Sequence, residues 1–314
     1  MISSLGSSLD LFLSGLSRIQ SRITVATAQL SSGHRINQPS DDPDQVSPLL
    51  QLQASLSHNQ TVAGNVTRVQ AEVSGADQAV SSAIQLLDQA RSLGAQGAST
   101  LTTDATRAQL AQRVQSIQEQ MVGLANTQVA GRYVFSGDGD ASPSYALDLN
   151  QPVTDPQNGV DRLFMPPVNA TRRIELSSHS YIPVDQTAQD LFDHRNTDDS
   201  LATDNVFAAL NSLRVALTTP NNQAGITAAQ SALQSASAYL NSQETFYGDT
   251  ATRLTAAVTQ INTENVNLQQ QITAIRDTDV VQAALDLASA QTQNQAAMAA
   301  GAKIPRTSLF DFLG

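Results

Sequence analysis

The sequence predicts a mainly α-helical protein, an elongated antiparallel helical bundle or coiled coil formed by its N- and C-terminal helices, with a small β-rich insert in the middle. Three observations predict this fold. Apolar residues recur every three or four positions over long stretches at both ends of the chain. Aromatic residues make up only 4% of the sequence, too few for a large compact core. Six of the 11 prolines lie between positions 143 and 183, where helical periodicity stops.

The first helix is predicted over residues 2–31. Its apolar residues are spaced by three and four, and such a seam needs a second helix along its length. Glycines and serines lie between the seam positions, and each glycine costs about 1 kcal/mol relative to alanine. We therefore expect this helix to be stable only against a partner. The seam residues predicted as assembly contacts are Leu5, Leu9, Phe12, Leu16, Ile19, Ile23 and Leu30.

Gly33 is suited to the left-handed conformation that ends many helices. A non-helical connector follows, and Pro43 fits the first turn of a second helix that runs to about residue 98. The acidic cluster Asp41, Asp42 and Asp44 is predicted to cap this helix, because carboxylates complement the N-terminal end of the helix dipole. The predicted seam of this helix is Val62, Val66, Val69, Val73, Ala76, Val80, Ala83, Leu87 and Ala90.

A third helix is predicted after a loop at 102–104. From about 133 to 203, short β-leaning pieces alternate with turn pairs such as Asn158-Gly159, which indicates a β-rich insert. Helix resumes at 206–217 and breaks at Pro220. Large residues spaced by seven then continue from Ile226 to Ile275, a repeat typical of bundle packing.

The segment 276–279 interrupts this repeat, and a last helix is predicted through residue 302. An apolar tail follows, and its large side chains are also predicted assembly contacts: Leu309, Phe310, Phe312 and Leu313. The chain is predicted to begin with a terminal helix and its connector (1–42), followed by bundle helices (43–137) and an exposed insert (138–202). Further bundle helices (203–276) precede a C-terminal helix with its tail (277–314).

Composition excludes several functions. The net charge of −11 argues against nucleic-acid binding. Without cysteine there is no disulfide, thiolate nucleophile or Cys-ligated zinc, and the four histidines lack metal-binding spacing. No apolar run approaches the roughly 18 residues of a membrane span. The N-terminus lacks the basic region of a secretory signal, so we do not expect a cleaved signal peptide. We expect no enzyme activity, metal or cofactor.

Two groups of residues resemble the bacterial flagellin family. The connector carries the first, Gly33, Arg35, Ile36, Asn37, Asp41, Asp42 and Pro43. The second is Asn126, Gly131, Phe135 and Gly137, and together with the apolar tail it is similar to the branch of that family found at the junction of hook and filament. The resemblance covers roughly residues 1–137 and 200–314.

This resemblance implies a structural subunit of the extracellular flagellum that is exported without a cleaved signal peptide and self-assembles through its terminal helices. The implied partners are copies of itself, an adjacent hook-associated protein, flagellin, and the flagellar type III export apparatus with an export chaperone. The main alternative is flagellin, the filament subunit. The long seven-residue repeat also leaves open a soluble coiled-coil signalling protein, and an enzyme carried by the insert is a further alternative, although the sequence has no recognisable catalytic constellation.

Overall fold

The computed structural model describes residues 2–150, 155–165, 167–176 and 180–302. Over these residues the chain is mainly helical, as the sequence predicts. Its α-helices are α1 Ile2–Ser32, α2 Pro43–Gly97, α3 Asp104–Ala125, α4 Ala188–Phe192, α5 Val206–Thr218, α6 Gln223–Arg276 and α7 Val280–Gly301. The helix ends lie within a few residues of the predicted ones, because proline, glycine and polar capping residues mark them in the sequence.

The β-structure consists of short antiparallel pairs in the middle of the chain. The strands are β1 Gln128–Val129, β2 Arg132–Tyr133, β3 Tyr145–Leu147, β4 Val160–Arg162, β5 Arg173–Glu175 and β6 Tyr181–Pro183. Strand β1 pairs with β2, β3 with β4, and β5 with β6. Each is a local hairpin, so the β-rich character predicted for this region is confirmed as small two-stranded sheets.

The chain folds as two compact units, whose boundaries fall inside α2 and α6. The first unit, called the terminal unit here, comprises residues 1–59 and 263–314. The second, called the central unit, comprises residues 60–262.

Helices α2 and α6 run antiparallel in the central unit. Gln70 of α2 donates a hydrogen bond to the hydroxyl of Thr255 at 2.9 Å, whereas Gln223 at the start of α6 bonds to the carbonyl of Ala98. Every α2 seam residue predicted from the sequence is buried. The α6 seam of this unit is also buried, from Ile226 to Ile261. The two helices therefore pack through the faces that the heptad pattern indicates.

The insert shares the core of the central unit. The side chains of Tyr145 and Phe192 are buried in the same cluster as residues of α2, α3, α5 and α6. The ring of Tyr145 lies 5.3 Å from that of Phe207 in α5, and the ring of Phe192 lies 5.7 Å from that of Phe135. Sequence analysis placed residues 138–202 on the outside because of their turn-rich composition. The turn-rich composition does not reveal that the segment packs on the helices through its apolar residues.

A fully buried carboxylate ties the insert to the start of α5. Asp193 accepts hydrogen bonds from Nε of Arg195 at 3.0 Å and from the hydroxyl of Tyr145 at 3.1 Å. It also accepts from Nδ2 of Asn205 at 2.7 Å, and Asn205 is the residue that caps α5. A buried charge is tolerated when such partners replace water. This network therefore holds the insert in one arrangement on the helices.

Helix α4 is absent from the sequence-based prediction. Thr187 and Asp190 form a reciprocal capping box, in which each backbone amide donates to the other's side chain. The signal was present in the sequence as Thr-Ala-Gln-Asp, but a helix of five residues is too short to show apolar periodicity.

Candidate assembly site

The two ends of the chain pair within the terminal unit. Helices α1 and α7 pack against each other, and Nη1 of Arg22 donates to the side-chain oxygen of Gln293 at 3.1 Å. Ten residues earlier in α1, the ring of Phe12 lies against Gly301, eight residues later in α7. These two contacts make the helices antiparallel, as the sequence predicts.

Gly301 allows the close approach at one end of this pair. A Cβ atom at this position would lie 2.7 Å from Cζ of Phe12. Such a distance is too short for two carbon atoms, so the ring would have to move. Glycine here lets an aromatic side chain lie directly on the backbone of the partner helix.

The predicted seam of α1 faces α7. Ala26 is buried on α1, as are Ala283 and Ala290 on α7. Half-buried side chains occupy the other described seam positions, and these are Phe12, Leu16, Ile19, Ile23 and Leu30. These residues thus serve pairing within one chain, and their role in contacts between subunits stays a prediction. Leu5 and Leu9 lie in α1 before the first side chain that the structure describes, and Leu309, Phe310, Phe312 and Leu313 lie outside the described residues.

Pairing leaves another set of apolar side chains in solvent. Val281 and Leu285 are 70% and 60% exposed and lie one turn apart on α7. Leu11 on α1 is 69% exposed. Further exposed apolar residues of the two helices are Leu13, Val25, Val280 and Met298. Sequence analysis missed this set, because it followed only the positions that keep strict heptad spacing. Apolar residues at positions outside the heptad seam are the sequence feature that could have revealed this set.

The connector after α1 joins the connector between α6 and α7. His34 and Asp277 form an isolated antiparallel β-bridge, in which the amide of Arg35 donates to the carbonyl of Arg276 at 2.6 Å. The side chains of His34 and Asp277 also meet, with Nδ1 3.2 Å from Oδ1. The connector between α1 and α2 and the connector at 276–279 are therefore held together, in a contact called the joint below.

Gly33 allows the chain to enter this joint. Its φ angle is +73°, the left-handed conformation predicted for the end of α1, and glycine adopts it without steric cost. Its carbonyl accepts a hydrogen bond from the amide of Thr278 at 3.0 Å. The end of α1 is thereby fixed directly to the start of α7.

The side chain of Arg35 links the first connector to the end of α6. Its Nη1 donates to the carboxylate of Asp42 at 2.7 Å, and its Nη2 donates to the carbonyl of Ile275 at 2.8 Å. A guanidinium can make both bonds at once because its donors form a planar fork. Ile36 next to it is buried.

The acidic cluster serves the connector as well as the start of α2. Asp41 accepts hydrogen bonds from the amides of Asn37 and Gln38 at 2.8 and 2.9 Å, which fold the connector into a tight turn. The carboxylate of Asp42 pairs with Arg35, and its carbonyl accepts from the amide of Val46 in the first turn of α2. The described bonds of the Asp41 and Asp42 side chains go to the connector, and Asp44 lies in the first turn of α2. Capping of α2 by these carboxylates stays a prediction.

The electrostatics of the joint favour an ionised Asp277. A hydrogen bond from the guanidinium of Arg276, at 2.9 Å, lowers the pKa of this carboxyl below its usual value, and His34 adds to the effect. The two basic side chains beside Asp277 therefore favour the charged form of its carboxyl.

The second signature group lies in the central unit and shapes its backbone. Asn126 caps α3, and its side chain accepts from the amide of Ser144 at 2.9 Å and donates to the carbonyl of Tyr145 at 2.7 Å. Gly131, with φ +80°, follows Ala130 in the two-residue turn between β1 and β2. Asn126 and Gly131 therefore each have a structural role within the central unit.

Phe135 and Gly137 complete this group. Phe135 is fully buried, with its ring 6.2 Å from that of Tyr247. Gly137 has φ +53°, and a Cβ there would lie 2.5 Å from the carbonyl oxygen of Asn169. Only glycine fits this turn.

No three His, Cys, Asp or Glu side chains lie close enough to hold a metal ion in the part of the chain that the structure describes. Within that part, none of the helices combines the length and the apolar character needed to cross a membrane.

Comparison with known proteins identifies the family. Residues 2–140 match the model of the bacterial flagellin N-terminal helical region, and residues 222–313 match that of the C-terminal helical region. The chain belongs to the bacterial flagellin family. The two matched regions contain the helices that pair in the terminal unit, and the insert lies mostly between them.

Individual relatives of the chain are flagellar proteins. The chain is 30% identical over 126 residues to flagellar hook-associated protein 3 of Salmonella typhimurium, and the match covers 40% of each chain. A structure of the flagellar junction protein FlgL from Legionella pneumophila has a TM-score of 0.54 at 12% identity, covering 74% of this chain and all of that one. A proposed hook-associated protein from Vibrio parahaemolyticus has a TM-score of 0.63 at 18% identity, covering 76% of this chain and all of that one. At these identities the two structures establish a shared fold.

Proposed function

We propose that the protein is a structural subunit of the bacterial flagellum that self-assembles through its terminal helices at the junction between hook and filament. The observation that carries this proposal is the antiparallel α1–α7 pair, whose outer surface presents Leu11, Val281, Leu285 and other apolar side chains to solvent. Large apolar side chains left in solvent at several positions along a helix pair favour contact with another protein. Membership in the flagellin family and the match to hook-associated protein 3 support the same function.

The proposed partners follow from this role. Copies of the chain would form a ring through their terminal units, with an adjacent hook-associated protein on one side and flagellin on the other. The flagellar export apparatus and an export chaperone would deliver the chain outside the cell. The role is structural, and no catalytic residue is assigned.

Flagellin, the filament subunit, is the second candidate, since the two matched family models describe flagellin regions. Immunogold labelling of a tagged chain on isolated flagella separates the two. Label confined to one band where hook meets filament supports the junction role. Label along the whole filament supports the filament role instead.

The assembly surface itself is tested by replacing exposed apolar residues with polar ones of similar size. The double variant Val281→Gln, Leu285→Gln should leave the monomer's helical content unchanged, because both side chains are in solvent, but should prevent incorporation into flagella. Leu101→Gln is the control, since Leu101 is 91% exposed and lies in the loop between α2 and α3. Normal incorporation of the double variant would exclude this face from assembly.

A further inference from the structure

A group of buried oxygen atoms without hydrogen-bond partners lies in the central unit. They belong to the segment 184–187, which joins β6 to α4, and to the helices α2 and α6. Among the described residues, no partner contacts Oε1 of Glu72 on α2, either carboxylate oxygen of Asp185, or the side-chain oxygen of Gln186. The hydroxyl of Tyr247 on α6 is also unpartnered, although the backbone of Gln186 lies close to it.

The carboxyl of Asp185 is the unusual member of this group. Asp185 is only 7% exposed, so water does not replace the missing partners. A buried polar atom without a hydrogen bond costs roughly 1–3 kcal/mol, and a buried charge costs more. Buried carboxylates in folded proteins are normally paired with another residue. The carboxyl of Asp185 approaches its own backbone amide but no hydrogen-bonding group of another described residue.

The charged groups around Asp185 do not offset the free-energy cost of burying its carboxylate. Arg172 is the nearby cation, but its guanidinium already pairs with Oε2 of Glu72. Glu72 on α2 and Asp138 in the turn at 137–139 add negative charge, and Tyr247 on α6 contributes a neutral hydroxyl. Burial, opposed by Arg172 and reinforced by Asp138, raises the pKa of Asp185 to about 6.

We propose that Asp185 is a pH-sensitive latch: when protonated it holds the segment 184–187 against α2 and α6, and when ionised it loosens this contact. A protonated carboxyl is neutral and supplies one hydrogen-bond donor to a group that consists mainly of acceptors. An ionised carboxyl adds an unpaired charge to the same buried site. A bound metal ion is a less suitable partner for these acceptor atoms. Among the described residues, no three His, Cys, Asp or Glu side chains lie close enough together to hold one.

The segment is well placed to transmit this change. The side chain of Gln186 donates to Gln243 of α6 at 2.9 Å, and the amide of Ala188 donates to the carbonyl of Phe135 at 2.7 Å. The amide of Val184 bonds to the carbonyl of Arg172 at 3.3 Å. Loosening at Asp185 therefore weakens the attachment of the insert to the helices.

The sign of the effect follows from the raised pKa. The folded state binds the proton more tightly than the unfolded state, so this group stabilises the fold at low pH and the contribution disappears as pH rises through about 6. Relative to a side chain that cannot ionise, the unfolding equilibrium constant should rise about 25-fold between pH 4.5 and 7.5.

The test compares the full chain with Asp185→Asn, which keeps the shape and cannot ionise. Urea unfolding at pH 4.5, 6.0 and 7.5 should show the ratio of the two equilibrium constants changing by about 25-fold. Asp161→Asn removes an exposed carboxylate of the same insert and should show a constant ratio to the unchanged chain. A constant ratio for Asp185→Asn as well would overturn the proposal.

A measurement on the unchanged protein covers the case in which Asp185→Asn does not fold. Nuclear magnetic resonance of the Asp185 carboxyl carbon should give a titration midpoint near 6. Hydrogen exchange of the peptide containing Ala188 and Leu191, corrected for intrinsic rate, should become faster above that pH. A midpoint near 4 with unchanged exchange would show that Asp185 is an ordinary carboxylate.

Discussion

Arg35 and Ile275 lie 240 residues apart in the chain, and Nη2 of Arg35 donates a hydrogen bond to the main-chain carbonyl of Ile275 at 2.8 Å. The same guanidinium holds Asp42 just before α2. One side chain thus connects the turn that follows the first helix with the end of the helix that precedes the last. This bond places the two terminal helices next to each other before any neighbouring subunit is considered.

Arg35→Lys should loosen this joint while the central unit stays folded. An ammonium can replace one of the two hydrogen bonds but not both, so the joint should lose about 1 kcal/mol, reduced by partial exposure of the side chain. Hydrogen exchange of the Asp277 and Thr278 amides should become roughly fivefold faster. Arg91→Lys is the matched control, since Arg91 is similarly exposed but pairs with Asp88 on its own helix. Equal exchange in both variants would count against the role of Arg35.

The joint should also weaken in acid. Because the pKa of Asp277 is lowered in the folded chain, its contribution to stability is present above its unfolded pKa, near 3.8, and is lost as pH falls through the folded value. Exchange at the Thr278 amide, corrected for its intrinsic rate, should therefore accelerate below pH 4. Asp277→Asn should remove this acid dependence, and Asp88→Asn should retain it. If Asp277→Asn shows the same acid dependence as the unchanged chain, another carboxyl controls the joint.

Gly137→Ala should destabilise the central unit by about 2 kcal/mol or more. The positive φ is unfavourable for alanine, and its methyl group would collide with the carbonyl of Asn169. Gly64→Ala is the opposite case, because this glycine lies inside α2 with open space around it, and alanine there should stabilise by up to about 1 kcal/mol. Urea unfolding of both variants measures the two effects. Equal stabilities would contradict the described backbone at Gly137.

Replacement of residues 138–202 with a short Gly/Ser linker should unfold the central unit. Sequence composition alone predicted that this segment is exposed, but it supplies Tyr145, Ile182 and Phe192 to the core. Loss of one large core side chain costs roughly 3–5 kcal/mol, and several are removed together. Circular dichroism should show lower helical content and a lower melting temperature. A stable variant that still assembles would establish that the insert is an independent appendage.

The sequence by itself determined the helices and the faces by which they pack. Spacing of three, four and seven along α2 and α6 is a local property of the chain, and burial of Val66, Leu87 and Leu240 follows from it. Helix ends were readable for the same reason, since Gly33 and Pro43 act on their own backbone. The family signature was visible too, although the physical reason for its residues was not.

Only the tertiary structure decided which residues meet across the chain. The bond from Arg35 to Ile275 and the burial of Asp193 join segments with no common sequence period, so no local pattern predicts them. The same holds for the insert, whose few aromatic residues enter a core that the helices complete. Pairing of α1 with α7 also decided that Val281 and Leu285 stay exposed, because a helix can present only one of its faces to its partner.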